Sequence, residues 1–371
     1  VSAPTATRTC ATLTVDLAAI AENTRHFVRV GPPDVLAVVK ADGFGHGLAD
    51  VARTAVANGA TWLGVTSITE GVAVRAAGLT EPVLSWLNPV DVDVATAVRH
   101  RIDLAVPSTR HLAAIAGAGG RVRVHLQLDT GLARDGAAPD EWPDLMAAAR
   151  QAELAGQVEV VGIMGHLAMS AYPGHSADEH GKQALLRGVA MAERAGLRPS
   201  LRHLAATAAT LTDPGAHLDM VRIGAGLVGI DPSGSTRLRR ALRLTAPVAQ
   251  VRRVGAGVGV GYGHTSVTGR PTTLALLPLG YADGLPRAAS GRAQVLVAGR
   301  RCPVVGVISM DQTVVDVGDL PVEPGDEAVV FGPGGQPAVD EPTVEEWAVW
   351  AGTIPHEIVT GIGHRVRRSV R

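Results

Sequence analysis

VLAVVKADGFGHG, Val35 to Gly47, reads as an apolar strand delivered into a glycine-rich turn, and the unit it begins recurs down the chain. Val35 to Val39 carries no polar side chain, the mark of a strand buried on both faces as in a parallel sheet. Seven comparable runs follow: TWLGV at 61–65, PVLSW at 82–86, DLAV at 103–106, VRVHLQL at 122–128, VEVVGIM at 158–164, LRHLA at 201–205 and MVRIG at 220–224. Between them lie alanine-rich stretches with apolar residues at helical intervals, among them Val51–Ala57, Asp144–Leu154 and Lys182–Ala195. Eight such units close naturally into a barrel. An open doubly wound sheet is the competing arrangement, but the glycine fingerprint usual after its first strand is missing. The expected class is therefore α/β, with an N-terminal (β/α)8 TIM-type barrel.

Beyond about Leu244 the texture changes to valine-rich runs broken by Gly, Pro and Asp, such as PVAQVRRV, TLALLPLG, AQVLVAG, CPVVGVISM, QTVVDVG and EAVVFG. These predict a C-terminal, predominantly β domain. The expected division is 11–243 for the barrel and 244–371 for the β domain, with the alternating ATLTVDL, Ala11 to Leu17, joining the latter as a strand. Two domains also suit a length of 371 residues. A formal charge of −1 gives no pull towards nucleic acid or anionic membrane, and the basic end, Arg365 to Arg371, reads as a solvated tail. Cys10 and Cys302 form neither a disulfide framework nor a metal cluster, which points to the cytoplasm. The first ten residues lack an apolar secretory core, and no stretch reaches the roughly 18 unbroken apolar residues of a membrane helix. A soluble small-molecule enzyme without a metal fits these bounds.

Lys40 is the first candidate for chemistry. At the edge of a buried strand its amine is partly desolvated, which favours the neutral, nucleophilic form suited to a Schiff base. Gly43, Gly45 and Gly47 leave room beside it for a ring and a phosphate. For this segment alone a surface lysine is the plainer alternative. LDTGLAR puts Arg134 beyond a tight turn, from which its planar fork can hold a carboxylate; a surface pair with Asp129 or Asp135 is the alternative. His166, His203 with Thr207, and Arg222 fall at the ends of the sixth, seventh and eighth strands, on one rim, although each histidine also fits a core position satisfied by a backbone carbonyl. GAGVGVGYGHT holds five glycines, but no helical pattern follows to receive a phosphate, so a nucleotide cradle is rejected. Glycines on both sides let the Tyr262 ring reach out of its domain. Tyr281 in GYADG and Met310 with Asp311 in SMDQ lie in turns between strands, and a packed aromatic is the alternative for Tyr281.

AVVKADGFGHG, LDTGLAR, GHLAMS, RHLAATAAT, VRIGAGLVG, VGYGHT, GYADG, SMDQ and GTIPHEI together resemble, in order and spacing, the alanine racemase family, pyridoxal-phosphate enzymes built from a barrel and a β domain. The resemblance runs from about Ala11 to Arg367. It implies a racemase acting on alanine or another small amino acid such as serine, as a homodimer with shared active sites. Lys40 would hold pyridoxal 5'-phosphate and act as base on one face of the α-carbon, while Tyr262 of the other subunit serves the opposite face. Met310 would also come from across the interface. Arg222 would face the pyridine nitrogen, keeping it unprotonated and the ring a weaker electron sink, which favours reprotonation over decarboxylation or elimination. His166 would link Arg222 to Tyr262 in a cationic network that lowers the phenol from its usual pKa of roughly 10. Thr207 and the backbone amides of Gly224 and Ala225 would bind the phosphate, with Phe44, His203 and His356 completing the cofactor contacts. Arg134 would grip the substrate carboxylate, beside Tyr281 and Asp311.

The chain departs from the family pattern at several positions. Phe44 and His356 stand where tyrosine is usual, and Ala206 where asparagine is common. Gln127 stands where many members carry a carbamylated lysine that steadies the arginine matching Arg134. Gln127 cannot carry that negative charge, and a bound chloride or Asp129 are the candidates to replace it. A decarboxylase or lyase of specialised metabolism on the same fold is the alternative function, with Arg222 counting against it. A cofactor carrier without turnover is a third, and it needs neither Tyr262 nor the β domain.

Overall fold

In the computed structural model, which describes residues 10–334 and 340–371, strand β1 (Thr12–Val15) and a helix, Leu17–Val30, precede the barrel. Eight parallel strands then close on themselves in chain order: β2 (Asp34–Val38), β3 (Trp62–Val65), β4 (Val83–Ser85), β5 (Ile102–Val106), β6 (Val122–Gln127), β7 (Val158–Met164), β8 (Leu201–Ala206) and β9 (Met220–Ile223). β9 returns to β2, with Val35 opposite Val221. The apolar runs are strands for the reason given by their composition: Val35, Leu36 and Ala37 are wholly buried, between the helices outside and the side chains filling the centre. Helix starts follow local chemistry, with Ser67 and Ser108 accepting from the amides of Glu70 and His111.

The turn after β2 departs from ordinary backbone. Ala41, Asp42, Gly43 and Phe44 have φ of 52, 54, 61 and 57° with ψ of 50, 46, 42 and 39°, a turn of left-handed helix. At about 1–2 kcal/mol for each residue bearing a side chain, Ala41, Asp42 and Phe44 together cost several kcal/mol. Hydrogen bonds hold the turn in place: Gly43 N–H to Val39 O at 2.9 Å, Gly47 N–H to Asp42 O at 2.8 Å, Leu48 N–H to Asp42 Oδ1 at 2.9 Å and Ala41 N–H to Glu70 Oε1 at 2.8 Å.

Ile20–Leu238 forms this barrel unit, and the described residues up to Ala19 together with Arg239–Arg371 form a second. Its strands are β10 (Leu242–Pro247), β11 (Gln250–Val254), β12 (Gly259–Val260), β13 (Ser266–Val267), β14 (Thr272–Leu277), β15 (Gln294–Val297), β16 (Arg300–Pro303), β17 (Thr313–Gly318), β18 (Glu327–Phe331) and β19 (Arg367–Val370). A six-stranded sheet runs β16-β15-β18-β10-β1-β19, a three-stranded one β11-β14-β17, and β12 pairs with β13. β1 lies antiparallel to β10 and parallel to β19, so Thr12 faces both Thr245 and Arg367. CPVVGVISM is only partly strand: after Pro303 a single bridge joins Val304 to Val315, and Gly306, at φ 70°, turns the chain away. Phe331 and Trp347 are wholly buried in this unit, and the Trp347 indole donates to Val330 O at 2.7 Å. Among the described residues no helix is long and apolar enough to cross a membrane, and no group of three or more His, Cys, Asp or Glu could hold a metal ion.

Candidate active site

Lys40 and Lys182 are the only lysines in the sequence. They are opposite in character. Lys182 lies 2.7 Å from Glu179 and 2.8 Å from Asp213, and hydrogen bonds to these two carboxylates raise its pKa. Lys40, at the C-terminal end of β2, is pulled below the usual lysine value by burial and then by the Arg134 charge, with Glu70 opposing them. Lys40 is half-buried, unlike an ordinary solvated lysine.

Arg222, at the end of β9 and 5% exposed, spends both Nη atoms on the barrel. Nη1 donates to His203 O at 3.0 Å and His203 Nδ1 at 3.2 Å; Nη2 donates to Gly165 O at 2.7 Å, His166 Nδ1 at 3.0 Å and Leu204 O at 3.2 Å. Among the described residues Nε has no such partner, and no carboxylate faces the guanidinium. Burial pulls its pKa down to about 10, so it stays charged at neutral pH. The fork therefore holds a fixed charge with one donor left to offer.

His166, just past β7, is clamped by Thr130, whose hydroxyl accepts from the His166 amide at 3.1 Å and donates to its carbonyl at 2.9 Å. Because a guanidinium only donates, His166 Nδ1 accepts and its proton sits on Nε2. Burial, then Arg222, Arg134 and Lys40, push its pKa down to about 3. The ring is held neutral, so within the expected cationic network the charge sits on Arg222. His203 lies within β8, fully buried, with Nδ1 taken by Arg222 and Nε2 2.9 Å from His125 Nδ1, so both ring nitrogens are committed within the barrel.

Thr207 follows β8, and its Oγ1 accepts from the Gly226 amide at 3.1 Å, leaving the hydroxyl hydrogen for an anion. The Phe44 ring packs where a Cβ on Gly224 would stand, 2.6 Å from Phe44 Cζ, so the ring fills the space that only glycine leaves open. Arg134 is exposed, and neither of its expected surface partners takes it. Asp129 Oδ1 accepts from the amides of Gly131, Leu132 and Ala133, and Asp135 accepts from Gln127 Nε2 at 2.9 Å. Gln127 thus meets Asp135, not Asp129, and its buried Oε1 has no partner.

In the second unit Tyr262 is 76% exposed on a 3-10 turn, between Gly261 and Gly263 at φ 68 and 70°. Tyr281 and Met310 are brought together there. The amides of Tyr281 and Ala282 donate to Ser309 O and Met310 O at 3.0 and 2.9 Å, and any Cβ on Gly280 would drive into those same carbonyls. Tyr281 is 41% and Met310 54% exposed, so neither is packed into a core. Asp311 is paired with Arg365 at 2.7 Å. His356, half-buried, is the second residue of the helix Pro355–Gly361.

Sequence reasoning missed Glu70. SITE, Ser67 to Glu70, is a capping-box signature, yet the Glu70 carboxylate accepts from Ala41 N–H and from the amide and hydroxyl of Thr66, tying this helix to the Lys40 turn. The signal was present in those four residues. His125, beneath His203, carried no comparable signal.

A model of the alanine racemase N-terminal domain matches residues 15–232, and one of the C-terminal domain matches 241–370. An alanine racemase of Frankia casuarinae is 44% identical over 97% of this chain and 96% of its own length. Solved structures agree. Alanine racemase from Streptomyces coelicolor A3(2) superposes with a TM-score of 0.93 at 43% identity, covering 98% of each chain. The enzyme from Bartonella henselae, solved with covalently bound pyridoxal phosphate, superposes with a TM-score of 0.87 at 28% identity, over 98% of this chain and 99% of its own. With both of its domain models matched in order and relatives aligned end to end, the chain belongs to the alanine racemase family.

Proposed function

We propose that this protein interconverts L- and D-alanine, using pyridoxal 5'-phosphate and two bases on opposite faces of the α-carbon. The observation that carries the reading is the pairing, within one barrel unit, of a lysine with lowered pKa and a buried arginine with one donor unspent. When bound, the cofactor supplies an electron-withdrawing ring that acidifies the α-proton of an attached amino acid. The residues fit it. Lys40 Nζ, held towards the neutral form, anchors the group and moves a proton at one face. Arg222 would offer its Nε–H to the ring nitrogen of the bound group; because the guanidinium keeps its proton, that nitrogen would stay unprotonated and the acidification would stay modest. Modest acidification suits return of the proton rather than loss of the carboxylate. Thr207 Oγ1 and the amides of Gly224 and Ala225 would hold the phosphate, with Phe44 packed beside Gly224.

Tyr262 serves the other face from a second copy of the chain, in a homodimer. Its 76% exposure in one copy supports that role, as does the exposure of Met310 and Tyr281. His166 Nε2–H is the donor through which Arg222 stabilises the phenolate. Arg134, with its fork uncommitted, takes the substrate carboxylate. Two unpaired thiols, Cys10 exposed and Cys302 buried, support work in a reducing cytoplasm. The test is proton NMR in heavy water with pyridoxal phosphate and each enantiomer of alanine and serine. Loss of the α-proton signal with appearance of the opposite enantiomer is expected. Consumption without inversion would replace the reading with a decarboxylase or lyase.

A further inference from the structure

Asp103 lies near the start of β5 and His125 in the middle of β6, and the structure joins them to Arg222. His203 Nδ1 is 3.2 Å from Arg222 Nη1, His203 Nε2 is 2.9 Å from His125 Nδ1, and His125 Nε2 is 3.5 Å from Asp103 Oδ2. The last separation is an electrostatic contact rather than a hydrogen bond, and His125 Nε2 has no closer polar partner. Both imidazoles are wholly buried, and Asp103 is 4% exposed. Asp103 starts β5, His125 and His203 lie within β6 and β8, and Arg222 stands near the end of β9, so the line climbs the barrel from one rim towards the other.

The proton positions in the line follow from its two ends together, the Arg222 donor at the top and the Asp103 carboxylate at the bottom. A guanidinium has no acceptor, so His203 Nδ1 accepts and its proton is on Nε2. That proton is given to His125 Nδ1, which places the His125 proton on Nε2, facing the Asp103 carboxylate. Arg123 Nε holds both Asp103 oxygens at 3.1 Å, keeping the carboxylate in place as the negative end.

The backbone is shaped for this line. β6 and β8 are not neighbours; β7 runs between them, and Gly162 of β7 is paired opposite His125. A Cβ on Gly162 would drive into the His125 ring, so its absence is what lets the two rings meet across the barrel. Register shifts occur in the β6–β7 ladder between Val124 and His125, and in the β8–β9 ladder between His203 and Ala206. Shifts of this kind re-aim side chains.

We propose that Asp103 and His125 are positioning residues for the reaction, forming with His203 a one-directional hydrogen-bond and charge relay that fixes the His203 tautomer and thereby the placement of Arg222. Without His125, the His203 Nε2–H is left buried and unpaired, and moving the proton to Nδ1 would set it against the Arg222 donor. The importance for catalysis rests on the reading of Arg222 given above; the tautomers do not.

Histidine labelled with nitrogen-15 in the ring reports the tautomers by NMR in protein free of cofactor, at neutral pH. His203 and His125 are both expected as Nε2–H forms with slowly exchanging protons. His125→Leu removes the acceptor and is expected to give His203 as a mixture of tautomers; in the cofactor-loaded protein kcat falls about tenfold with KM little changed, the usual size for a residue that orients a functional group. His125→Asn, which restores an acceptor, recovers both. A proton on His203 Nδ1 in the parent protein, or an unchanged tautomer in His125→Leu, overturns the relay. If His125→Leu does not fold, Asp103→Leu is read instead: a mixed His125 tautomer supports the relay and an unchanged one removes Asp103 from it. Absence of racemisation by the parent would overturn the proposed function while leaving the tautomer measurement valid.

Discussion

With two lysines of opposite character, the chain offers a direct reading of Lys40. At pH 8 a limiting amount of acetic anhydride should acylate Lys40 ahead of Lys182, whose amine is held protonated by Glu179 and Asp213; peptide mass spectrometry reads the ratio, and equal labelling would contradict a lowered Lys40 pKa. Glu70 raises the Lys40 pKa, so Glu70→Gln removes that effect and should move the acid limb of the kcat profile, which reports the substrate complex, to lower pH. A limb that stays or moves upward would show that another group titrates there. At the carboxylate end, Arg134→Gln should raise KM for alanine about tenfold or more by removing a charge-assisted pair. Gln127 is the residue whose surroundings the sequence conveyed least. Its mismatch with the usual lysine was visible, but the carboxylate it meets, Asp135, becomes its neighbour only through the loop that Asp129 organises.

Among the elements, the barrel strands were legible because burial on both faces leaves an unbroken apolar run, and the observed ends differ from those runs by a residue or two. The left-handed turn was not. Only Gly43 and Gly45 hint at positive φ in KADGFG, while Ala41, Asp42 and Phe44 adopt it against their own preference because Glu70, Val39 and Leu48 hold the amides and the Asp42 carboxylate. Ala41→Gly should relieve part of this strain, raising stability by roughly 0.5 kcal/mol after the greater freedom of the unfolded chain is deducted. Gly43→Ala should lower it by about 1–2 kcal/mol, since the new Cβ would stand 2.8 Å from Val51 Cγ2 at a strained φ. Urea midpoints of the two variants, moving in opposite directions, are the check. The His125–His203 contact was equally hidden, because 78 residues separate the two rings until the barrel closes.

For the molecule as a whole, the buried imidazoles set a dependence on pH. His166 and His203 are held neutral, with folded pKa values below 6.5, so unfolding takes up protons once the pH falls below that value. Their contribution is complete above pH 6.5 and declines below it by at most about 1.4 kcal/mol per pH unit for each ring. Denaturant midpoints at pH 7.5 and 5.5 measure this; no loss on acidification would mean that the rings are charged in the folded protein. The shared site proposed for a homodimer makes a further prediction at this scale. Lys40→Ala and Tyr262→Phe should each be inactive, and reassorting them into mixed dimers should restore about a quarter of the parent activity, since half the dimers then hold one intact site. Finally, β1 lies between β10 and β19, and Thr14 and Ser369, 355 residues apart, share a hydrogen bond across that seam. On the ribosome the barrel residues emerge complete while β1 still waits for both of its neighbours. A stretch translated ahead of the barrel is therefore sealed after it, and a chaperone guarding the nascent chain would find one edge of Thr12–Val15 open until residue 370 has left the exit tunnel.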